Sequence, residues 1–146
     1  MNRLVSNFAM PGPALLVAAL LAVATPLRAD VTPVDNAALE RLMRRGVPVI
    51  DIRTPEEWSE TGVIEGSRLL TFFDAQGRYD VRAWLSELAT IASSRDDPVA
   101  LICDSGGRSA LVGHFLDAQL GYRHVFDVPG GIARWLAEDR PTVEPR

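Results

Sequence analysis

Short apolar runs alternate with helical patterns along this chain, and the alternation limits the folds that it can adopt. We predict strands at Val47–Ile52, Arg68–Thr71, Val99–Ile102 and His124–Val128. Each is separated from the next by a helical pattern or a polar break. Strands that alternate with helices form a parallel sheet covered by helices on both faces. The sequence therefore predicts an α/β fold with a small parallel sheet.

The predicted helices have recognisable start and stop signals. They begin at Asp35, at the capping box Thr54–Glu57, at Asp80, at Ser109 and after the turn Pro129–Gly131. The helix that starts at Ser109 is apolar on most sides, so we expect it to be well buried.

The first 29 residues form a pattern of their own. Arg3 is followed by the unbroken apolar run Ala14–Ala24, and Ala29 supplies a small residue for cleavage. This order is typical of a secretory signal peptide. A membrane anchor is the alternative, but a spanning helix needs about 20 apolar residues. We predict that residues 1–29 are removed and that residues 30–146 form one domain, located in the periplasm or secreted.

The charge of the chain restricts its partners. The sequence contains nineteen acidic residues, fifteen arginines and no lysine, and its net charge is −4. A chain without a basic patch is poorly suited to nucleic acid or to an anionic membrane surface. We therefore expect neither of these partners, and no stable membrane insertion once the leader is removed.

Cys103 is the only cysteine, and it occupies a chemically informative place. It follows the predicted strand Val99–Ile102 and opens a glycine-rich loop that leads into a helix. One cysteine cannot form a disulfide within the chain, so it is intermolecular, buried and inert, or reactive. Helix N-termini present unpaired N–H groups and positive potential, which favour a thiolate. We predict that Cys103 is a reactive nucleophile.

The residues after Cys103 suit an anion-binding loop. Gly106 and Gly107 permit positive φ, so that successive backbone N–H groups can point at one sulfur. We expect Arg108 to cover the bound anion or the entrance of the helix, and Ser109 to cap the helix.

Other polar residues receive supporting or structural roles. Asp51 and Arg53 end another predicted strand, and we expect them to hold the loop through ion pairs and hydrogen bonds. Glu56, Glu57 and Glu60 are interpreted as a solvated helix face plus a cap. His114 and His124 lack zinc-site spacing with the cysteine, so no metal is predicted.

Four segments, taken in order, resemble the rhodanese (sulfurtransferase) family. Cys103–Ser109 is similar to its pattern of Cys, two residues, Gly, one residue, Arg and then Ser or Thr. Val49–Trp58 resembles the signature around its Asp-x-Arg, and Gly62–Ser67 resembles its Gly-His-Ile-x-Gly-Ala segment. Gly130–Trp135 is similar to its closing Gly-Gly and Trp. The resemblance extends from about Asp35 to Glu138.

The resemblance implies a rhodanese-like fold with about five strands and a sulfurtransferase that needs no cofactor. Cys103 would take a sulfane sulfur from a small donor such as thiosulfate and carry it as a persulfide. The acceptor would be cyanide, a thiol or a cysteine of a partner protein. The loop residues implied to bind the substrate or persulfide are Asp104, Ser105, Gly106, Gly107, Arg108 and Ser109, with Asp51 and Arg53 in support.

Two departures and two alternatives accompany this hypothesis. Val63 stands where the family usually has histidine, and Asp104 places a negative charge beside the thiol, which disfavours anionic donors. One alternative is a non-catalytic persulfide relay or protein-interaction module. The other is a cysteine-based phosphatase or arsenate reductase. Those enzymes need five residues between cysteine and arginine, whereas four separate Cys103 from Arg108.

Overall fold

A computed structural model describes residues 31–146, and the predicted signal peptide, residues 1–29, lies outside the described residues. In this described part of the chain, five parallel strands form one sheet. They are β1 (Thr32–Pro33), β2 (Val49–Asp51), β3 (Arg68–Leu69), β4 (Val99–Ile102) and β5 (Val125–Asp127), in the spatial order β1-β5-β4-β2-β3. The α/β fold with a small five-stranded parallel sheet is therefore confirmed.

Within residues 31–146, five helices connect or follow the strands. They are α1 (Asn36–Arg44), α2 (Pro55–Thr61), α3 (Val81–Ile91), α4 (Gly107–Leu120) and α5 (Gly131–Ala137). The predicted N-caps of α1 and α3 are present: Asp35 accepts the N–H of Ala38, and Asp80 accepts that of Ala83. These caps satisfy backbone donors that a helix leaves unpaired at its start. In the described residues, no helix is both long and apolar enough to cross a membrane.

The sheet is buried on both faces, because successive side chains of a strand point to opposite sides. Leu101 of β4 joins the cluster that contains Trp84 and Leu88 of α3 and Leu116 of α4. The neighbouring residue Ile102 lies in the opposite cluster, which contains residues from α1 and α5. Helices thus cover both faces, as the alternating pattern predicted.

The order of the strands creates a crevice at the carboxyl edge of the sheet. The chain moves from β2 outward to β3, returns through α3 to β4 at the centre, and then moves outward to β5 on the other side. Strands are therefore added in opposite directions across the sheet from β2 and from β4. Ligands of open α/β sheets bind where this order of addition reverses. The segments that follow β2 and β4 begin with Ile52 and Cys103.

Some boundaries and burials differ from the predictions. Helix α4 begins at Gly107 rather than Ser109, because Gly106 takes the left-handed conformation and serves as its N-cap. The expectation that this helix is buried on most sides is wrong, since Leu111 is 60 % exposed. Strand β1 was not predicted, because two residues including a proline show no alternating pattern.

Candidate functional site

The Cys103 sulfur receives hydrogen bonds from the loop that follows it. The N–H of Gly106 donates to Sγ at 3.1 Å, and the N–H of Ser109 donates at 3.4 Å. The Ser109 hydroxyl lies 3.4 Å from the same sulfur. Two backbone dipoles and one hydroxyl therefore converge on one atom at the start of α4. This arrangement stabilises negative charge on sulfur.

Cys103 lies just below the protein surface. Its side chain is only 1 % exposed, whereas the next residues, Asp104 and Ser105, are exposed. Gly107 is exposed as well, while Gly106 is buried beneath it. An inert core cysteine would share this burial, but it would not need three polar groups aimed at its sulfur. The exposed residues of the loop are therefore the part of the surface that lies next to the sulfur in the sequence.

The curvature of the loop depends on one of its two glycines. Gly106 has φ of +95°, and a Cβ there would lie 2.8 Å from the backbone nitrogen of Gly130. Gly107 has no positive φ, so only one of the two glycines uses the conformational freedom that was expected of both. The left-handed turn at Gly106 directs its own N–H back toward the sulfur.

The loop is also held from the opposite side by the start of α5. The carbonyl oxygen of Cys103 accepts the N–H of Ile132 at 2.9 Å, and that of Asp104 accepts the N–H of Ala133 at 3.0 Å. Gly131 lies so close to these two carbonyls that a Cβ would overlap them. The lack of a side chain at Gly131 thus allows the start of α5 to bond the backbone at the cysteine.

Ser109 does not cap α4, contrary to the expectation. It is the third residue of the helix and is fully buried. Its hydroxyl donates to the carbonyl oxygen of Gly106 at 3.1 Å and contacts the Cys103 sulfur. A serine at the N-cap would instead accept an N–H bond from the first turn. Ser109 is therefore a direct neighbour of the sulfur.

Arg108 is bound to Glu57 rather than left free above the loop. Its Nη1 donates to Glu57 Oε2 at 2.9 Å, and its Nη2 pairs with Oε1. The bond from Arg108 lowers the pKa of Glu57, and the same partner raises the pKa of Arg108. Arg108 does stand at the helix entrance, but its charge is largely neutralised there.

Glu57 has two roles that its neighbours Glu56 and Glu60 lack. Besides Arg108, its carboxylate accepts the N–H of Thr54 at 2.9 Å, which completes the predicted capping box of α2. The capping role expected in this segment is therefore confirmed for Glu57, whereas its ion pair with Arg108 was not predicted. The linear sequence places residues 57 and 108 far apart, so only the fold reveals the pair.

Asp51 and Arg53 form a buried ion pair that supports α2. Arg53 is 0 % exposed, and its guanidinium bonds both carboxylate oxygens of Asp51, the closest at 2.7 Å. The remaining N–H groups donate to the Thr61 hydroxyl at 2.6 Å and to the carbonyls of Glu57 and Gly62. The expectation that this pair holds the cysteine loop directly is wrong, because its partners belong to α2 and its C-terminal end.

The two histidines lie apart from the sulfur chemistry. Both His114 on α4 and His124 before β5 are exposed, and neither makes a hydrogen bond to Cys103. In residues 31–146, no group of three or more His, Cys, Asp or Glu side chains is arranged to hold a metal ion.

Comparison with known proteins identifies the family. Residues 35–138 match the model of the Rhodanese-like domain. A rhodanese-related protein from Thermoplasma volcanium is 32 % identical, with a TM-score of 0.58 over 78 % of this chain and 99 % of its own. No curated protein matches the chain.

Two more distant structures share the fold. A polysulfide-sulfur transferase homodimer from Wolinella succinogenes is 22 % identical, with a TM-score of 0.61 over 81 % of this chain and 82 % of its own. A protein from Rhodopseudomonas palustris, described as a possible tyrosine phosphatase, is 24 % identical, with a TM-score of 0.56 over 77 % and 85 %. Because the family model matches residues 35–138 and the Thermoplasma volcanium protein is 32 % identical, the chain belongs to the family of rhodanese-like domain proteins.

Proposed function

We propose that this protein is a sulfurtransferase that carries a sulfane sulfur as a persulfide on Cys103. The observation that carries the proposal is the convergence of the Gly106 N–H, the Ser109 N–H and the Ser109 hydroxyl on one sulfur atom. These groups stabilise both a thiolate and a negatively charged persulfide. Membership of the rhodanese-like family supports the same chemistry.

The reaction proceeds in two substitutions at sulfur. The Cys103 thiolate attacks the outer sulfur of a donor such as thiosulfate, a new S–S bond forms, and the donor's S–S bond breaks. The remainder, sulfite, leaves with the electron pair. Cyanide, a thiol or a partner protein's cysteine then attacks the terminal sulfur and restores the thiolate. Both leaving groups are stable anions, so neither step needs a metal or a histidine.

The electrostatics of the loop favour donors other than thiosulfate. Arg108 is neutralised by Glu57, and Asp104 stands exposed beside the thiol. A doubly charged donor therefore meets the negative charge of Asp104, while the arginine of the loop, Arg108, is already paired with Glu57. We propose that thiosulfate is used slowly and that less charged sulfane donors, such as persulfides, are preferred.

An assay that compares three activities tests the proposal. Purified protein is supplied with thiosulfate and cyanide, with a low-molecular-weight persulfide and cyanide, and with an aryl phosphate. We expect thiocyanate from the first two and no phosphate release. The four-residue spacing between Cys103 and Arg108 supports this outcome, and phosphatase turnover would contradict it.

The variant Cys103→Ser provides the matched control. Oxygen cannot form the persulfide, so we expect loss of thiocyanate production with unchanged thermal unfolding. Persulfide on the wild-type protein with negligible turnover would favour the relay function instead. Sulfur transfer by the Cys103→Ser variant would contradict both functions.

We also propose that the protein is exported through cleavage of residues 1–29. The basic start, apolar run and small residue before Asp30 support this location. N-terminal sequencing of protein from the periplasm or medium is expected to begin at Asp30. Recovery of the uncleaved chain in the cytoplasm would contradict export.

A further inference from the structure

An apolar groove opens on the surface near the cysteine loop, between the first half of α4 and the segment that leads from β3 to α3. Its volume is about 290 Å³, and Leu111 and Tyr79 form its rim. These two side chains, 60 % and 61 % exposed, are the most exposed of the large hydrophobic residues within residues 31–146. Exposed apolar patches often mark binding sites, so this pair calls for an explanation.

The groove is built by aromatic rings that hold one another in place. Phe72 is buried at the floor, and its ring is stacked with that of Tyr79 at a centroid distance of 5.7 Å. Phe73 meets both rings edge to face, at 4.8 Å and 5.4 Å. The turn between Phe73 and Tyr79 is closed by an ion pair of Asp74 and Arg78. The rings are therefore positioned without a ligand, as in most small-molecule sites.

The groove lies at the same edge and on the same face of the sheet as the Cys103 sulfur. The Phe72 N–H donates to the carbonyl of Ile52 at 3.1 Å, and the Ile52 N–H donates to the carbonyl of Ile102 at 3.0 Å. Ile102 precedes Cys103, and neighbouring strands lie about 4.8 Å apart, so the Phe72 backbone is about 10 Å from that of the cysteine. Phe72 and Cys103 also belong to one apolar cluster, on the α4 side of the sheet.

Helix α4 connects the groove with the sulfur from the other side. Ser109 donates its N–H to the sulfur, and Val112, three residues later, lies buried at the floor of the groove. Leu111 likewise follows the exposed Gly107 of the cysteine loop by four residues. Residues three or four apart in a helix share one face and lie about 5–6 Å from each other. The groove therefore begins about one helical turn from the loop.

The lining of the groove favours uncharged groups. Among the residues that the structure describes, no Asp, Glu, Arg or His lines it. The cysteine loop, in contrast, carries Asp104 and the Arg108–Glu57 pair. An anionic group gains nothing in such a groove, whereas an aromatic or branched alkyl group buries apolar surface there.

The size of the groove suits part of a small molecule. Its volume is close to the lower limit of about 300 Å³ for small-molecule sites, which leaves room for one ring. Seven residues of the described chain line it, whereas a stable protein interface uses about 20–30 residues on each side. A substituent of the sulfur donor therefore fits the groove better than a second protein does.

We propose that this groove binds the apolar substituent of the sulfur donor and so determines which sulfane compounds the protein uses. The donor class is a sulfane sulfur attached to an aryl or branched alkyl group. With that group between Leu111 and Tyr79, the outer sulfur lies at Cys103. The inference rests on the proposed function, since it assigns the groove to the donor of the same reaction.

Thiosulfonates are suitable probes because their substituent can be changed while the reacting group stays the same. The Cys103 thiolate attacks the outer sulfur of the thiosulfonate, a new S–S bond forms, and the S–S bond of the donor breaks. The sulfinate leaves with the electron pair, and the new persulfide remains on the protein. Benzenethiosulfonate and methanethiosulfonate carry the same charge and differ only in the substituent.

The kinetic test compares these two donors, with cyanide as the acceptor. The ratio of kcat/KM for the benzene donor to that for the methane donor is measured in the wild type and in Leu111→Gln. We expect the ratio to fall by about fourfold or more in the variant, as the loss of one buried methylene contact would produce. Differences in the intrinsic reactivity of the donors cancel in this comparison.

The matched control is Leu136→Gln, which changes an exposed leucine of α5 that does not line the groove. This variant should keep the wild-type ratio. An unchanged ratio in Leu111→Gln, or an equal fall in both variants, would overturn the proposal.

A binding measurement locates the ring without any sulfur transfer. The Cys103→Ser variant does not consume benzenethiosulfonate, and nuclear Overhauser effects report which protein protons lie near the ring of the donor. We expect contacts with the methyl groups of Leu111 and Val112 and with the ring of Tyr79. Contacts confined to other residues, or none at millimolar donor, would overturn the inference.

The two measurements distinguish this inference from the proposed function. Ring contacts in the groove, with a wild-type protein that forms no persulfide, would refute the proposed function and leave the groove as a binding site. Persulfide formation without these contacts would support the function and overturn the assignment of the groove.

The oligomeric state shows whether a second copy of the chain covers the groove instead. Sedimentation velocity is expected to give the same species for the wild type and for Leu111→Gln. A wild-type dimer that dissociates in Leu111→Gln but persists in Leu136→Gln would show that two copies bury the groove, and would overturn its assignment to the donor.

Discussion

Replacing Arg53 with methionine tests the ion pair beneath α2. Methionine keeps an unbranched side chain but removes the guanidinium, and therefore leaves the carboxylate of Asp51 buried without its partner. The structure shows what is lost: contacts with both oxygens of Asp51 and bonds to Thr61, Glu57 and Gly62. Both members of the pair are almost completely inaccessible.

The size of the effect follows from this burial. Removing one partner of a buried pair costs about 3–5 kcal/mol, out of a total stability of about 5–15 kcal/mol for a small domain. At about 4 °C per kcal/mol, the unfolding midpoint of Arg53→Met should fall by about 12–20 °C. Urea and thermal unfolding measure both quantities.

Two controls determine whether the loss comes from the uncompensated charge. In Asp51→Leu/Arg53→Met both charges are gone, so we expect a smaller loss than in Arg53→Met alone. Arg78→Met removes a pair with Asp74, but Arg78 is 77 % exposed, so its loss should be much smaller than that of Arg53→Met. A loss below about 1 kcal/mol for Arg53→Met would refute the reasoning.

Three further predictions concern the loop and its neighbours. Gly131→Ala should unfold at a much lower temperature than Gly46→Ala. Both positions have positive φ, but only a Cβ at position 131 overlaps backbone atoms. Equal decreases in the unfolding temperature would contradict this. Glu57→Gln should lower the free energy of unfolding by about 0.5–1 kcal/mol at pH 7. The pKa of Glu57 is lowered in the folded state, so its carboxylate contributes to the free energy of unfolding at pH values above the ordinary pKa of 4.5. The difference in stability between Glu57→Gln and the wild type should therefore vanish as the pH falls through the pKa of Glu57 in the folded protein. A difference in stability that is constant with pH would be inconsistent with this. Asp104→Arg should lower the apparent KM for thiosulfate at low ionic strength, with Asp104→Asn between it and the wild type, and an unchanged KM would show that Asp104 does not repel the donor.

The fold was predictable because its main signals are local. Val99–Ile102 is a fully buried apolar run followed by a glycine-rich loop, and it forms the central strand β4. The capping box at Thr54 and the cap at Asp80 mark helix starts that the structure contains. Strand β1 could not be predicted in this way, since its two residues are stabilised by pairing with β5 rather than by their own pattern.

The candidate site was only partly predictable, because several of its contacts join distant segments. The position of Cys103 and the left-handed turn at Gly106 follow from the loop sequence. The pairing of Glu57 with Arg108 depends on the packing of α2 against the loop, and no spacing rule indicates it. Asp127 was predicted only as part of a strand, because the sequence does not show that its carboxyl group is buried.

The central claim is that Cys103 accepts and releases one sulfur atom. The most direct test is the intact mass of the purified protein after incubation with a persulfide or thiosulfate donor and removal of the donor. We predict a gain equal to one sulfur atom, loss of that gain when cyanide is added, and no gain in the Cys103→Ser variant. A wild-type mass that stays unchanged with every donor, in protein that unfolds cooperatively, would contradict the account.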